Sequence, residues 1–162
     1  MLFTSHVLAG AIIGSVARKD PVAAFATGAA SHLAMDACPH WAPPPNAEGG
    51  HEQFLRVARA DGLAGLTAVA LCTRLASPQA RLATLAGMAG AGLVDMDKPF
   101  QHFFGFNPFP GWFQRVHAGV QRQAPGRLAH EVFAAAVLAI LALALLRRVD
   151  EPEGEDPDAT TP

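Results

Sequence analysis

A histidine and an aspartate lie four residues apart at the end of an apolar run: His32 and Asp36, in the segment 31–40 (SHLAMDACPH). Residues i and i+4 share one face of a helix, so the imidazole and the carboxylate would be presented side by side. Pro39 predicts the end of that helix, which leaves His40 in the following loop. Two side chains that offer lone pairs at a fixed separation are a common beginning of a metal site. The alternative is a helix end whose polar residues are only solvated.

The other histidines and several aspartates lie near the ends of further predicted helices. If consecutive helices alternate in direction, as short connections require, all seven histidines fall at one end of the bundle. There, imidazoles and carboxylates from distant parts of the chain can assemble one metal centre. The predicted ligands are His6, His32, Asp36, Asp95, Asp97 and His117. Ligands of histidine and aspartate without thiolate predict a divalent metal, with Zn favoured and Mn or Fe as alternatives.

Each of these residues also has a purely structural interpretation. His6 can be a residue at a helix start, and Asp95 and Asp97 can be a solvated helix end. Of the remaining histidines, His40 and His51 are interpreted as loop residues, and His102 as either an interfacial side chain or a ligand. His130 forms a pair with Glu131. That last pair either orients a ligand or forms the polar start of the last helix.

The elements that must position these residues are predicted to be helices. Alanine- and glycine-rich segments bounded by Pro, Gly or charged residues predict an all-α bundle of about five main helices, with a further short helix near 112–123. The main helices cover residues 5–17, 21–38, 52–76, 79–95 and 127–148, with a loop at 39–50 and a long, irregular aromatic loop at 99–112. Residues 1–149 are expected to form one helical domain, and the acidic tail 150–162 is expected to be disordered.

Composition narrows the class of protein. The chain has 162 residues, of which 51% are hydrophobic and only 16% charged. Soluble domains carry about 25% charged residues, so a membrane protein or a deeply buried bundle is indicated. Six of the 14 acidic residues lie in the tail, and the rest of the chain has a modest excess of positive charge that does not support nucleic-acid binding. The two cysteines do not form a disulfide framework.

The last helix is the best candidate for a membrane span. It contains fifteen consecutive apolar residues, 132–146, and a span needs about 20 largely apolar residues. The aromatic loop suits a headgroup layer, and the small-residue helices suit close packing in lipid. We therefore expect the bundle to be embedded in a membrane and in contact with lipid, with a soluble helical bundle as the alternative.

Three motifs together resemble bacterial inner-membrane proteins known as membrane-bound metal-dependent hydrolases, which are distantly similar to zinc-dependent phospholipase C. The motifs are the early His6, the Ser-His-x-x-x-Asp element at 31–36 and the VDMDKP segment at 94–99. The resemblance implies an all-α fold, a location in the bacterial inner membrane, and hydrolysis of phosphoesters or other esters. By it, His6, His32, Asp36, Asp95 and Asp97 would be metal ligands.

The chain also departs from that family's pattern. The Ser-His-x-x-x-Asp element precedes the Asp-x-Asp element, whereas the family has the reverse order. Lys98 and Val94 replace a histidine and a proline, and the segment HAGVQR at 117–122 has Arg122 in place of a second histidine.

The functional prediction is a membrane-associated hydrolase that attacks an ester or phosphoester of a small molecule or lipid through a metal-bound water. Asp97 or His130 would serve as general base, and Arg115 or Arg122 would hold an anionic substrate. The alternative is a non-catalytic helical-bundle protein of the membrane whose His/Asp cluster binds a structural metal or a partner. The sequence does not determine the oligomeric state.

Overall fold

Helices make up most of the chain in the computed structural model, which describes residues 1–43 and 48–148. The helices are α1 (Phe3–Ala17), α2 (Pro21–Asp36), α3 (Gly50–Leu75), α4 (Arg81–Leu93), α5 (Asp97–Phe104), α6 (Gly111–Val120) and α7 (Leu128–Arg148). Two-residue strands β1 (Pro39–His40) and β2 (Arg122–Gln123) pair in parallel. The all-α prediction is confirmed. The predicted disordered tail, 150–162, lies outside the described residues, as do residues 44–47 of the predicted 39–50 loop.

The prediction of an irregular segment over 99–112 is wrong for its first half, because α5 covers residues 97–104. Pro99 is the third residue of this helix, where a backbone N–H has no partner within the helix, so a proline is tolerated. The helix ends at Gly105, whose φ of 76° lies in the left-handed region that favours glycine. An aromatic, non-helical stretch then leads to α6.

Helices α1, α2 and α4 meet through glycines. A Cβ placed on Gly87 of α4 would lie 2.3 Å from the carbonyl oxygen of Gly10 in α1. A Cβ on Gly28 of α2 would lie 2.4 Å from the carbonyl oxygen of Gly87 itself. No side chain fits at either crossing, so the three backbones are in direct contact around one point of α4.

The apolar core lies between α1, α3, α4 and α7. It includes Val7, Leu8, Cys72, Met88 and Leu146. By length and composition, one stretch of the described chain, Pro125–Arg147, could cross a membrane, and only 11% of its most apolar window is buried in the structure. Most of α7 therefore presents apolar side chains outward.

Two carboxylates hold the beginning of α1 in place. Asp61 of α3 accepts hydrogen bonds from the backbone N–H groups of Phe3, at 2.6 Å, and Thr4, at 3.0 Å. These donors have no partner within the helix, so Asp61 caps α1 from another helix. Glu131 of α7 accepts from the backbone N–H groups of Leu2 and Trp41. The start of α1, and with it His6, is thereby fixed against α3 and α7.

Candidate metal centre

Four side chains from three parts of the chain meet at the end of α2. His32 and Asp36 come from the last two turns of α2, Asp95 from the 3₁₀ turn that follows α4, and His117 from α6. One ligand atom from each lies within 4.8 Å of the others, and all four residues are buried. This group could hold a metal ion.

Three of these ligand atoms form a nearly equilateral triangle. Nε2 of His32 lies 3.3 Å from Nε2 of His117, and each nitrogen lies 3.2–3.3 Å from Oδ2 of Asp36. Tetrahedral ligands at zinc distances of 2.0–2.1 Å are separated by about 3.3 Å, so the triangle has the size of one face of such a site. Oδ1 of Asp95 lies 3.9 Å from both nitrogens, near the position of a fourth ligand.

The tautomer of His32 is set by the backbone. Its Nδ1 donates a hydrogen bond to the carbonyl oxygen of Ala91 in α4, at 2.7 Å. A carbonyl oxygen can only accept, so Nδ1 carries a proton, and Nε2 is the nitrogen that faces the cluster and can bind there through its lone pair. This arrangement, in which one nitrogen is held by an acceptor and the other is free to bind, is typical of metal-binding histidines.

His6 stacks on His32 and faces the same carboxylates. The two rings are 3.8 Å apart between centroids, with an interplanar angle of 20°. Nε2 of His6 lies 3.2 Å from Oδ1 of Asp36 and 4.0 Å from Oδ2 of Asp95. The ring is fully buried, and neither nitrogen has a hydrogen bond of acceptable geometry to any described residue. Burial is the main cause that lowers the pKa of His6 to about 4, so the neutral form dominates at neutral pH.

Both carboxylates are held in the charged form. Burial alone would raise the pKa of Asp36, but the imidazoles of His117, His32 and His6 bring it below its ordinary value. Burial likewise opposes ionisation of Asp95, whose pKa is lowered by the ammonium of Lys98 and by the nearby imidazoles. Lys98 forms an ion pair with Oδ1 of Asp95, and the α-ammonium of Met1 lies 2.7 Å from Oδ1 of Asp36.

Gln121 also reaches the cluster and was not among the predicted residues. Its Nε2 lies 3.0 Å from Nε2 of His117 and 3.3 Å from Oδ2 of Asp36. Rotation of the side-chain amide by 180° would direct its carbonyl oxygen there instead. Gln121 follows His117 by four residues, but α6 ends at Val120 and the backbone of Gln121 is extended, so helical periodicity is not a signal for this residue.

The structure brings together five of the six predicted ligands, His6, His32, Asp36, Asp95 and His117, and places Asp97 beside them. Oδ2 of Asp97 lies 3.9 Å from Nδ1 of His117, on the side of the ring that faces away from the triangle. Asp97 thus lies next to the cluster, but at a distance from His117 that is too long for a hydrogen bond. That these residues bind metal stays a prediction.

The other predicted functional residues lie outside the cluster. The side chains of His130, Arg115 and Arg122 are exposed, and within the described residues no hydrogen bond or ion pair joins them to it. His40 is buried separately, with Nδ1 3.0 Å from the carbonyl oxygen of Cys38.

A cavity of about 500 Å³ that is broadly open to solvent lies next to the cluster. Asp97 and Lys98 line it, together with the exposed histidines His51 and His102 and the apolar Phe54. Asp97 and Lys98 contact cluster residues, so they connect this cavity to the buried carboxylates and imidazoles.

Comparison with protein-family models, with curated proteins and with solved structures finds no match to this chain. The residues of the cluster are thus the basis for assigning a function.

Proposed function

We propose that this protein is a membrane-associated, metal-dependent hydrolase of esters or phosphoesters. The observation that supports the proposal most strongly is the triangle of ligand atoms from His32, Asp36 and His117, with sides of 3.2–3.3 Å. The three distances between the two imidazole nitrogens and the carboxylate oxygen are nearly equal, and they match the separation of ligand atoms around one divalent cation.

His32, Asp36, His117 and Asp95 would hold the ion, since one ligand atom of each lies within 4.8 Å of the other three. A set of imidazole and carboxylate ligands without thiolate suits Zn, with Mn or Fe as alternatives. A divalent ion bound there would lower the pKa of a coordinated water and polarise an ester or phosphoryl oxygen.

Residues at the cavity would carry the remaining steps. The Asp97 carboxylate lies on the cavity wall and next to His117, where it can accept a proton from an attacking water. The ammonium of Lys98, on the same wall, would bind an anionic oxygen of the substrate. The apolar Phe54 and Leu55 would contact its uncharged part. The predicted roles of His130 as a base, and of Arg115 and Arg122 as anion-binding residues, have less support because these side chains are exposed and, among the described residues, no hydrogen bond or ion pair joins them to the cluster.

Two surfaces support membrane association. The first is the outward face of α7, where Phe133 is 72% and Ile140 67% exposed. The second is the aromatic region of α5 and α6, where Phe103 and Trp112 are 74% and 62% exposed. Aromatic side chains of this kind concentrate at the boundary between lipid and water. The proposed location is the bacterial inner membrane, with a lipid or small-molecule ester as substrate.

One observation favours a second candidate, a non-catalytic membrane protein with a structural metal. His32 and Asp36 are fully buried and His117 is 3% exposed, and structural metal sites are closed to solvent whereas catalytic sites keep an open position. The cavity that Asp97 and Lys98 line is the feature that favours the catalytic function.

Metal analysis of the purified protein tests the common basis of both candidates. We expect stoichiometric Zn, Mn or Fe in the wild type, and a loss of affinity of at least about 100-fold in His32→Ala and Asp36→Ala. His130→Ala, which removes an exposed histidine that belongs neither to the cluster nor to the cavity wall, should keep the wild-type affinity. A wild-type protein without metal under metal-replete conditions would contradict the proposal.

Hydrolysis separates the two candidates. Metal-loaded protein is assayed with nitrophenyl phosphate diesters and monoesters and with nitrophenyl acyl esters. The hydrolase predicts turnover that Asp97→Asn reduces about 100-fold while metal content is unchanged. Bound metal with no turnover of any probe supports the structural role. Recovery of the protein in the soluble fraction of cells would contradict membrane association.

A further inference from the structure

His6 is a buried polar side chain without a hydrogen-bonding partner. It is 0% exposed, and neither Nδ1 nor Nε2 makes a hydrogen bond to a described residue. A buried imidazole without partners lowers stability, because its polar atoms lose their hydration without compensation. Its Nε2 nevertheless points at carboxylate oxygens, 3.2 Å from Asp36 and 4.0 Å from Asp95. This arrangement suits a ligand whose cation binds between these groups.

The two carboxylates divide their oxygens between His6 and the triangle. Oδ1 of Asp36 is the oxygen near His6, and Oδ2 is the oxygen near His32 and His117. The oxygens of Asp95 are divided in the same way: Oδ2 is nearest His6, and Oδ1 is nearest His32 and His117. Each carboxylate therefore spans the space between two groups of imidazoles, as bridging ligands do in sites with two ions about 3.5–4 Å apart.

We infer that the protein binds two divalent cations, with the second held by His6, Oδ1 of Asp36 and Oδ2 of Asp95. Asp36 and Asp95 would bridge this ion and the one held by His32 and His117. The inference rests on the proposed function, because the second ion shares both carboxylates with the first. The second ion would also give His6 the partner that it lacks.

The second site is already balanced by one positive charge. The α-ammonium of Met1 lies 2.7 Å from Oδ1 of Asp36, the oxygen assigned to the second ion. An incoming cation would have to displace this ammonium from Asp36. Because the cation and the ammonium repel each other, we expect the second ion to bind more weakly than the first.

Titration of the detergent-purified, metal-free protein with Mn(II) and, separately, with Zn(II) tests the inference. We expect two equivalents of metal per chain, and an electron paramagnetic resonance spectrum of the Mn-loaded protein that shows exchange coupling between neighbouring ions. His6→Ala and the more conservative His6→Gln should each bind one equivalent and give the spectrum of an isolated Mn(II). His130→Ala, the control at an exposed histidine away from the cluster and the cavity wall, should bind two. Thermal unfolding of the metal-free variants verifies that each is folded.

The possible outcomes are distinguishable. One equivalent in the wild type, with an uncoupled spectrum, overturns the second site and leaves the proposed function intact. Two coupled equivalents in both His6 variants also overturn it, because His6 would then not be a ligand. No binding of either metal to the wild type overturns both the inference and the proposed function.

Discussion

The crossing of α1 and α4 at Gly87 offers a sharp test of how the fold holds the site. A Cβ at this position would lie 2.3 Å from the carbonyl oxygen of Gly10 and 3.2 Å from the backbone nitrogen of Gly14. Both neighbours are backbone atoms, which cannot rotate away as a side chain can. In Gly87→Ala, the two helices must therefore separate by about 1 Å to reach ordinary contact distance.

The expected magnitude follows from two opposing effects. Overpacking of a close contact destabilises a protein by about 1–3 kcal/mol or more. Replacement of a helical glycine by alanine stabilises the helix by about 1 kcal/mol when nothing is in the way. Gly62 of α3 provides that reference, because nothing lies within 4 Å of a Cβ placed there. We expect Gly87→Ala and Gly62→Ala to change stability in opposite directions and to differ by about 2–4 kcal/mol.

Thermal unfolding followed by circular dichroism, in the detergent used for purification, measures this difference. For a chain of this length it corresponds to roughly 4–16 °C between the two variants. Metal affinity should fall in Gly87→Ala and stay unchanged in Gly62→Ala, because only the first moves α1 relative to α4. A Gly87→Ala protein that melts at or above the wild-type temperature would refute the close backbone contact.

Three further predictions concern the cluster itself. Gln121→Ala should weaken metal binding about tenfold, because Gln121 contacts and orients the ligands His117 and Asp36. Gln79→Ala, the control at an exposed position in the turn before α4, should leave the affinity unchanged. Equal affinities in the two variants would exclude Gln121 from the site. Lys98→Met should tighten metal binding about tenfold, because it removes the positive charge that is paired with Asp95. Lys98→Arg keeps that charge and should leave the affinity unchanged. Weaker metal binding in Lys98→Met would contradict the electrostatic argument. The metal-free protein should lose up to about 3 kcal/mol of stability as the pH falls from 6.5 to 4, because the unfolded chain lets His6 bind a proton that burial disfavours in the folded state. Denaturant titration at a series of pH values measures this loss, and His6→Gln should flatten the profile over this range. An unchanged slope in His6→Gln would refute the role of His6.

The predictable parts of the site are those that one helix supplies. His32 and Asp36 are four residues apart on α2, and helical periodicity alone places them on one face. The convergence of Asp95 and His117 on this pair required a further rule, the alternation of helices joined by short connections. That rule locates an end of the bundle. It does not give the distances between side chains, which depend on how closely α1, α2 and α4 approach.

The remaining features depend on contacts between residues far apart in the chain. Glu131 lies in the first turn of α7, which agrees with the predicted polar start of the last helix, and it also accepts hydrogen bonds from Leu2 and Trp41, 129 and 90 residues away. The strand pair β1–β2 likewise joins the end of α2 to the segment after α6, which brings Gln121 close to Asp36. Helix propensity and periodicity describe neighbours within a segment, so neither could reveal these contacts.

The glycine contacts and the metal cluster are parts of one arrangement. Gly10 and Gly28, which contact α4 at Gly87, lie four residues from His6 and His32, or about 6 Å along each helix axis. On α4, Ala91 lies four residues after Gly87, and its carbonyl oxygen accepts the hydrogen bond from Nδ1 of His32. The positions of both imidazoles relative to α4 are thus set by backbone contacts one helical turn away. Backbone contacts cannot adjust by changing rotamer, which is why small residues at these crossings would maintain the sub-ångström geometry that a metal site needs.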